Sequence, residues 1–146
     1  MPRINGFAHI DLTVTDVERS VEWWVQVMRF VPGGRFQGDT YHGCSMMHPS
    51  GLGVTVVSHD VTGGDEFDER RVGLDHLAFD VSDRAELNAW VAHLDALGVE
   101  NTGVIEAHYG DTVVFRDPDN TQLELFVFNQ DANLAELFAT DPRRTT

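Results

Sequence analysis

The chain has 146 residues, with 24 acidic side chains against 10 basic ones, all of them Arg, and a formal net charge of −14. This charge argues against nucleic acids and anionic membranes as partners, because both are polyanions, and the absence of Lys excludes a Walker phosphate loop and Schiff-base chemistry on Lys. No apolar run approaches the ~20 residues that span a membrane, and the N-terminal residues lack the apolar core of a signal peptide. A lone Cys44 cannot form an internal disulfide. We therefore expect a cytoplasmic protein.

Residues 7–14 open the chain's regular structure, because apolar and polar residues alternate there as in a half-buried strand. Thr15 is a candidate N-cap, and the following apolar spacing predicts a helix that stops at Pro32-Gly33-Gly34. The rest of the first half predicts three short strands, near residues 35–38, 41–47 and 53–59.

The second half predicts the same order of elements. A strand over 74–81 leads to Ser82 as N-cap and to a helix that stops at Gly98. Three strands are predicted to follow, near residues 102–107, 111–116 and 121–128. In the tail, residues 133–138 predict a short amphipathic helix.

An internal repeat explains why the halves look alike. The segment Gly6–Asp16 matches Gly73–Asp83 at a shift of 67 positions, aligning His9 with His76. We therefore predict an α+β fold of two βαβββ modules that form a cupped mixed sheet. The first module is predicted over residues 5–60 and the second over 73–128. A Gly-containing acidic linker, residues 61–72, joins them, and a helix with a tail follows over 129–146.

The two repeated histidines are the strongest candidates for chemistry. By strand parity, His9 and His76 lie on the faces turned away from the helices, and the repeat relates the two positions. In the last strand, Leu123 and Leu125 point toward the helices, which leaves Glu124 on the histidine side. Two imidazoles and one carboxylate suit a divalent metal with exchangeable water. A salt bridge from Glu124 to an Arg is the main competing interpretation.

One pattern makes the chain similar to a known family. Phe115-Arg116-Asp117-Pro118-Asp119-Asn120, followed by Leu123-Glu124-Leu125 and preceded by Gly73-Leu74-Asp75-His76, resembles the vicinal oxygen chelate superfamily over about residues 5–128. That superfamily includes glyoxalase I, extradiol dioxygenases, fosfomycin-resistance proteins and bleomycin-binding proteins. The resemblance implies its fold and a homodimer, or at least modules that pair within or between chains. It also implies His9, His76 and Glu124 as ligands of a divalent ion, whether Fe, Mn, Zn, Ni or Mg.

The resemblance leaves the subfamily open. Thr55 stands where glyoxalase I-like proteins would have a fourth ligand, and a Lys-free acidic chain disfavours a phosphonate substrate. The extradiol signature, with a Tyr near the Asp-Pro turn, is not matched either, because Phe115-Arg116 directly precedes Asp117-Pro118. Tyr109 is a candidate to hydrogen-bond a bound oxygen atom, which places it with Glu124 among the predicted catalytic residues. His59 and His108 are favoured as exposed turn residues, and Cys44 as a core residue.

These observations predict a metal-dependent enzyme, of dioxygenase or glyoxalase-like lyase type, acting on a small molecule that presents adjacent oxygens. The alternative is a metal-free protein that sequesters a drug in an aromatic-lined groove, where the acidic surface would favour a cationic ligand. Metal content and sensitivity to a chelator distinguish the two hypotheses.

Overall fold

The computed structural model describes residues 2–3, 6–62, 64 and 66–129, which form eight strands and two helices. Neither helix in this part of the chain is long and apolar enough to cross a membrane. In chain order the elements are β1 (Ile10–Thr13), α1 (Val17–Gln26), β2 (Val31–Gln37), β3 (Tyr41–Met47), β4 (Gly53–His59), β5 (Leu77–Asp80), α2 (Arg84–Ala96), β6 (Ile105–Ala107), β7 (Gly110–Arg116) and β8 (Gln122–Phe128).

The chain divides into two compact units. The first comprises the residues up to Val72 together with Asp117–Thr121, and the second comprises Gly73–Arg116 and the residues from Gln122 on. The boundary at Val72 falls within the predicted linker, but the Asp117–Thr121 turn, which joins β7 to β8, groups with the first unit.

In the first unit, one helix covers one face of a four-stranded sheet of order β1-β4-β3-β2. Strands β1 and β4 are parallel and the other pairs are antiparallel. Leu12 and Val14 point into the core with Trp24 of α1 and Val56 of β4, whereas Asp11 of β1 points to solvent. The predicted alternation of the first strand therefore matches the observed burial.

The second unit has the same arrangement, with its sheet in the order β5-β8-β7-β6. Leu87 and Leu94 of α2 are fully buried, as are Leu123, Leu125 and Val113 of the sheet. The predicted α+β class with mixed sheets is confirmed, and the strands form two four-stranded sheets, one in each unit.

The predicted N-caps were each wrong by one residue. Asp16 caps α1 by accepting the backbone N–H of Arg19 at 3.1 Å, and Asp83 caps α2 by accepting that of Glu86 at 2.9 Å. A carboxylate near a helix N-terminus also interacts favourably with the helix dipole. Thr15 uses its hydroxyl elsewhere, as a donor to Asp119.

The predicted stop of the first helix was also wrong. Helix α1 ends at Gln26, and Arg29 follows in the left-handed region with φ of 61°. Pro32-Gly33-Gly34 instead lies in β2, where the pairing register shifts between Pro32 and Arg35. An edge strand tolerates proline and a bulge, which accounts for this placement. In the second unit the prediction was correct, because Gly98 with φ of 69° follows the end of α2.

Candidate metal-binding site

Glu124 lies on the open face of the second unit's sheet. Its neighbours Leu123 and Leu125 point to the other face and are buried there. Strand β8 lies between β5 and β7, so the Glu124 carboxylate is surrounded by sheet on both sides and its side chain is only 16% exposed. A carboxylate this sheltered requires partners to offset its desolvation.

His76 is the first of these partners. It immediately precedes β5, which pairs in parallel with β8 in a register that sets Leu77 beside Leu123 and Ala78 beside Glu124. This register brings the imidazole Nε2 of His76 to 3.0 Å from Oε2 of Glu124. The His76 side chain is 40% exposed, so one side of the pair is open to solvent.

Two further side chains orient this pair. Asp75 places Oδ1 at 2.6 Å from Nδ1 of His76, and the Thr112 hydroxyl on β7 donates a hydrogen bond to Oε1 of Glu124. Each candidate ligand therefore has one atom held by a neighbour and another atom directed at the other ligand. A carboxylate bound to the far nitrogen of a histidine is the usual support of a metal-binding imidazole.

A positive charge between Nε2 of His76 and Oε2 of Glu124 would stabilise this arrangement. A neutral imidazole donates from one nitrogen only. If Nδ1–H donates to Asp75, then the Nε2 lone pair faces a carboxylate oxygen unless the ring is protonated or a cation lies there. The 3.0 Å separation equals the ~3.0 Å expected between adjacent ligands of an ion with bond lengths of ~2.1 Å. The same distance is that of an ordinary N–H···O hydrogen bond, so the geometry is compatible with either, while the chemistry of an imidazole and a carboxylate suits a divalent ion.

Among the residues that the structure describes, Glu124 has no Arg partner, which disfavours the competing interpretation. The contacts that the structure gives Glu124 are with His76 and Thr112. Arg116, the nearest Arg along β7, directs its Nη2 to Oε1 of Gln122 at 3.0 Å.

His9, the third predicted ligand, belongs to the first unit. It is an exposed residue just before β1, and its Nε2 lies 3.6 Å from Oδ1 of Asp11. In that unit the position equivalent to Glu124 is Thr55, whose hydroxyl donates to Ser45 at 3.2 Å. Within residues 2–3, 6–62, 64 and 66–129, no group of three or more His, Cys, Asp or Glu side chains is close enough to hold a metal ion. The role of His9 stays a prediction.

Tyr109 lies at the tip of the β6–β7 hairpin and is 46% exposed. Its ring is nearly parallel to that of Phe126, at 19° with centroids 6.0 Å apart. Phe128 meets Phe126 edge-on, at 75° and 4.7 Å. Because β8 alternates, Phe126 and Phe128 share the face of Glu124.

An ion-pair network fixes this hairpin to the rest of its unit. Arg84, the first residue of α2, contacts Asp111 at 2.7 Å and Glu106 at 2.9 Å. Hydrogen bonds from Asp111 and then Glu106 raise the pKa of the Arg84 guanidinium above its ordinary value. The network thus anchors both hairpin strands to the helix and supports the turn that carries Tyr109.

The remaining candidates have ordinary surroundings. Cys44 is fully buried on the helix side of β3, as predicted for a core residue. His108 is an exposed turn residue whose carbonyl accepts from the Asn129 side chain at 3.4 Å, and His59 is an exposed residue beside the Tyr41 ring. The helix predicted over 133–138 lies outside the described residues.

Sequence reasoning overlooked two of the residues that shape the site. Asp75 belongs to the Gly73-Leu74-Asp75-His76 motif but was given no role. A carboxylate directly before a candidate histidine ligand could have indicated a residue that orients the imidazole. Thr112 could be found only from the β7–β8 register, which sets it opposite Phe126.

The Glyoxalase/Bleomycin resistance protein/Dioxygenase superfamily model matches residues 6–125. A glyoxylase/bleomycin resistance protein/dioxygenase domain from Frankia sp. EAN1pec is 33% identical, with a TM-score of 0.83 over 88% of this chain and 96% of that one. The fosfomycin resistance protein FosX from Listeria monocytogenes, solved with Mn(II) and 1S,2S-dihydroxypropylphosphonic acid, is 23% identical, with a TM-score of 0.69 over 92% of this chain and 99% of that one. The latter likeness is one of fold.

A curated relative is similar along nearly the whole chain. The putative ring-cleaving dioxygenase MhqA of Bacillus subtilis is 27% identical over 142 residues, which is 92% of this chain. The chain spans 45% of that relative's length.

Proposed function

Because the chain belongs to the Glyoxalase/Bleomycin resistance protein/Dioxygenase superfamily, we propose that it is a divalent-metal-dependent enzyme. Its substrate is a small molecule that presents adjacent oxygen atoms to the metal, and the reaction is of dioxygenase or lyase/isomerase type. The observation that carries the proposal is the pair of His76 and Glu124, held 3.0 Å apart on an open sheet face.

In this proposal His76 and Glu124 hold the ion in the second unit, and His9 is the third ligand predicted from the repeat. A bound divalent ion supplies Lewis acidity toward a substrate oxygen and stabilises negative charge that develops there. Fe, Mn, Zn, Ni and Mg all remain compatible with one carboxylate and imidazole ligands.

The surrounding residues have supporting roles. Asp75 holds the ring of His76 in one orientation and favours the tautomer that leaves Nε2 free to bind. Thr112 holds Oε1 of Glu124, so that Oε2 remains directed at His76. Glu124, as a carboxylate beside the substrate oxygens, and Tyr109, through its hydroxyl, are the proposed catalytic residues that move or share a proton at those oxygens.

The relatives bear on the type of reaction. The name of MhqA describes a ring-cleaving dioxygenase, and that of FosX describes resistance to fosfomycin. The net charge of −14 disfavours an anionic phosphonate. We therefore rank dioxygenase-type chemistry on a ring compound ahead of chemistry on a phosphonate.

Metal content tests the proposal directly. The chain is purified without chelator, and its metals are measured by elemental analysis before and after loading with Mn(II). We expect close to one ion per chain, and loss of that ion in Glu124→Gln and His76→Ala. A smaller loss in His9→Ala would identify His9 as a weaker ligand.

A matched control separates specific binding from general acidity. Asp80 is an exposed carboxylate on the same face of the same sheet, so Asp80→Asn makes the same charge change without touching the pair and should retain the ion. A wild-type chain that binds no divalent ion, or that loses the ion equally in Asp80→Asn and Glu124→Gln, refutes the proposal.

The exposed aromatic rings beside Glu124 favour a second candidate, a metal-free small-molecule binding protein that confers resistance to a drug. Tyr109 and Phe128 are each 46% exposed on the open side of the sheet, and such surfaces hold apolar ligands without a metal. Ligand binding that persists unchanged in excess EDTA and in Glu124→Gln would support this function instead of the enzyme.

Two expectations from the sequence accompany the proposal. We expect a homodimer, which light scattering on a sizing column measures, and we expect a cytoplasmic location, which fractionation of the source cells measures.

A further inference from the structure

We propose that Tyr109, Phe126 and Phe128 form an aromatic shelf that selects substrates carrying an uncharged aromatic ring next to their metal-binding oxygens. The inference rests on the proposed function, because the shelf is read as the part of the same site that binds the rest of the substrate.

The shelf is continuous with the candidate metal pair. Phe126 follows Glu124 by two positions on one strand face, a spacing of about 6.8 Å. Thr112 stands directly opposite Phe126 in the β7–β8 ladder and donates its hydroxyl hydrogen to Glu124. A molecule whose oxygens lie at His76 and Glu124 can therefore reach Phe126 within the width of one ring.

The shape of the shelf suits a flat ring. Phe126 and Phe128 meet at 75° and so form a corner. Tyr109 lies nearly parallel to Phe126, at 19°, and borders the same surface. Aromatic rings prefer offset-stacked and edge-to-face contacts, and this corner can supply both to a third ring.

The sequence leaves room for this arrangement at Gly110. A methyl group on Gly110 would collide with the Phe126 ring and with the carbonyl oxygen of Val127. The Phe126 ring therefore lies across a glycine that directly follows Tyr109. Any larger residue at this position would displace the ring from the shelf.

Charge near the shelf selects against anionic rings. Asp80 of β5 pairs in register with Phe126 and is exposed on the same face. A carboxylate on the ligand ring would be repelled by Asp80, whereas a neutral ring with hydroxyl groups would not. The substrate class is thus a neutral aromatic compound with two adjacent oxygens.

Two hydroxamic acids test the shelf, because they share one chelating group and differ only in the ring. Acetohydroxamic acid and benzohydroxamic acid are titrated calorimetrically into the Mn(II)-loaded chain. We expect benzohydroxamic acid to bind about tenfold more tightly. In Phe126→Leu the preference should fall to about threefold or less, while the affinity for acetohydroxamic acid stays unchanged.

Trp90→Leu is the matched control. Trp90 is a half-buried aromatic residue of the same unit, on helix α2, and its ring centroid lies 5.5 Å from that of His93. It should leave the preference at its wild-type value. Equal affinities for the two acids in the wild-type chain, or an undiminished preference in Phe126→Leu, overturns the inference.

A second measurement keeps the shelf testable if the chain binds no Mn(II), a result that would refute the proposed function by itself. Saturation-transfer NMR then compares phenol with cyclohexanol on the metal-free chain. The shelf predicts a signal for phenol that is several times stronger, and its loss in Phe126→Leu. Equal signals for the two alcohols would overturn the shelf independently of the metal.

Discussion

Replacement of Asp75 by Asn tests whether a neighbouring carboxylate tunes the candidate metal site. Asp75 contacts Nδ1 of His76 at 2.6 Å, and the other ring nitrogen faces Glu124 at 3.0 Å. Asn keeps an oxygen that can accept a hydrogen bond at the same place but removes the negative charge. The ring should keep its orientation, while its Nε2 becomes a less basic and weaker ligand.

The expected magnitude follows from the exposure of Asp75. Loss of an outer-shell partner typically weakens metal binding by about 10- to 100-fold. The Asp75 side chain is 71% exposed, so water screens much of its charge. We therefore expect a weakening at the lower end, about tenfold in the Mn(II) dissociation constant, or ~1.4 kcal/mol.

Calorimetric titration of Mn(II) into the purified chain measures this effect, with Asp80→Asn on β5 as a control that makes the equal charge change. Asp75→Ala should weaken binding more than Asp75→Asn, because it also removes the acceptor that holds the ring. The reasoning is refuted if Asp75→Asn binds Mn(II) as tightly as the wild type while Glu124→Gln abolishes binding.

Three further predictions concern stability. Asp119→Ala removes a buried carboxylate that accepts from Arg19 at 2.8 Å, so urea unfolding should show a loss of about 2–3 kcal/mol; a loss under 1 kcal/mol would contradict this. Burial raises the pKa of the Asp117 carboxyl above its usual 3.8. The free energy of unfolding of the wild type, relative to that of Asp117→Asn, should therefore fall as the pH rises from 3.8 through the raised pKa. A difference that does not change with pH would argue against this. Gly110→Ala should cost about 1–3 kcal/mol because the new methyl collides with the Val127 carbonyl; an unchanged thermal midpoint would show that the hairpin can shift.

The side of the sheet on which each residue lies could be predicted because alternation is a local property of the sequence. Leu123 and Leu125 are buried and Glu124 faces outward, as the apolar spacing indicated. The start of α1 was missed by one residue for a non-local reason. Thr15 and Asp16 are both good caps, and the choice depends on Asp119, which takes the Thr15 hydroxyl from 104 positions away.

The candidate site was predictable in part. Strand parity predicted that His76 and Glu124 share a face, and the parallel β5–β8 register brings them within contact. The hydrogen bond from Thr112 and the stacking of Tyr109 on Phe126 depend on the exact β7–β8 register and on the length of the β6–β7 turn. A one-residue slip would turn Thr112 to the opposite face, so a sequence alone cannot identify these contacts.

The two repeats differ at the position where chemistry is proposed. In the second unit, Thr112 donates to the carboxylate of Glu124, which needs further positive partners. In the first unit the equivalent Thr55 hydroxyl donates to the Ser45 hydroxyl, and this neutral pair is satisfied within its own sheet. A neutral pair of hydroxyl groups is satisfied without a ligand, whereas a sheltered carboxylate is costly until a cation or donor compensates it. From this difference between the repeats, we infer that Thr55 stabilises its sheet and that Glu124 is the candidate for chemistry.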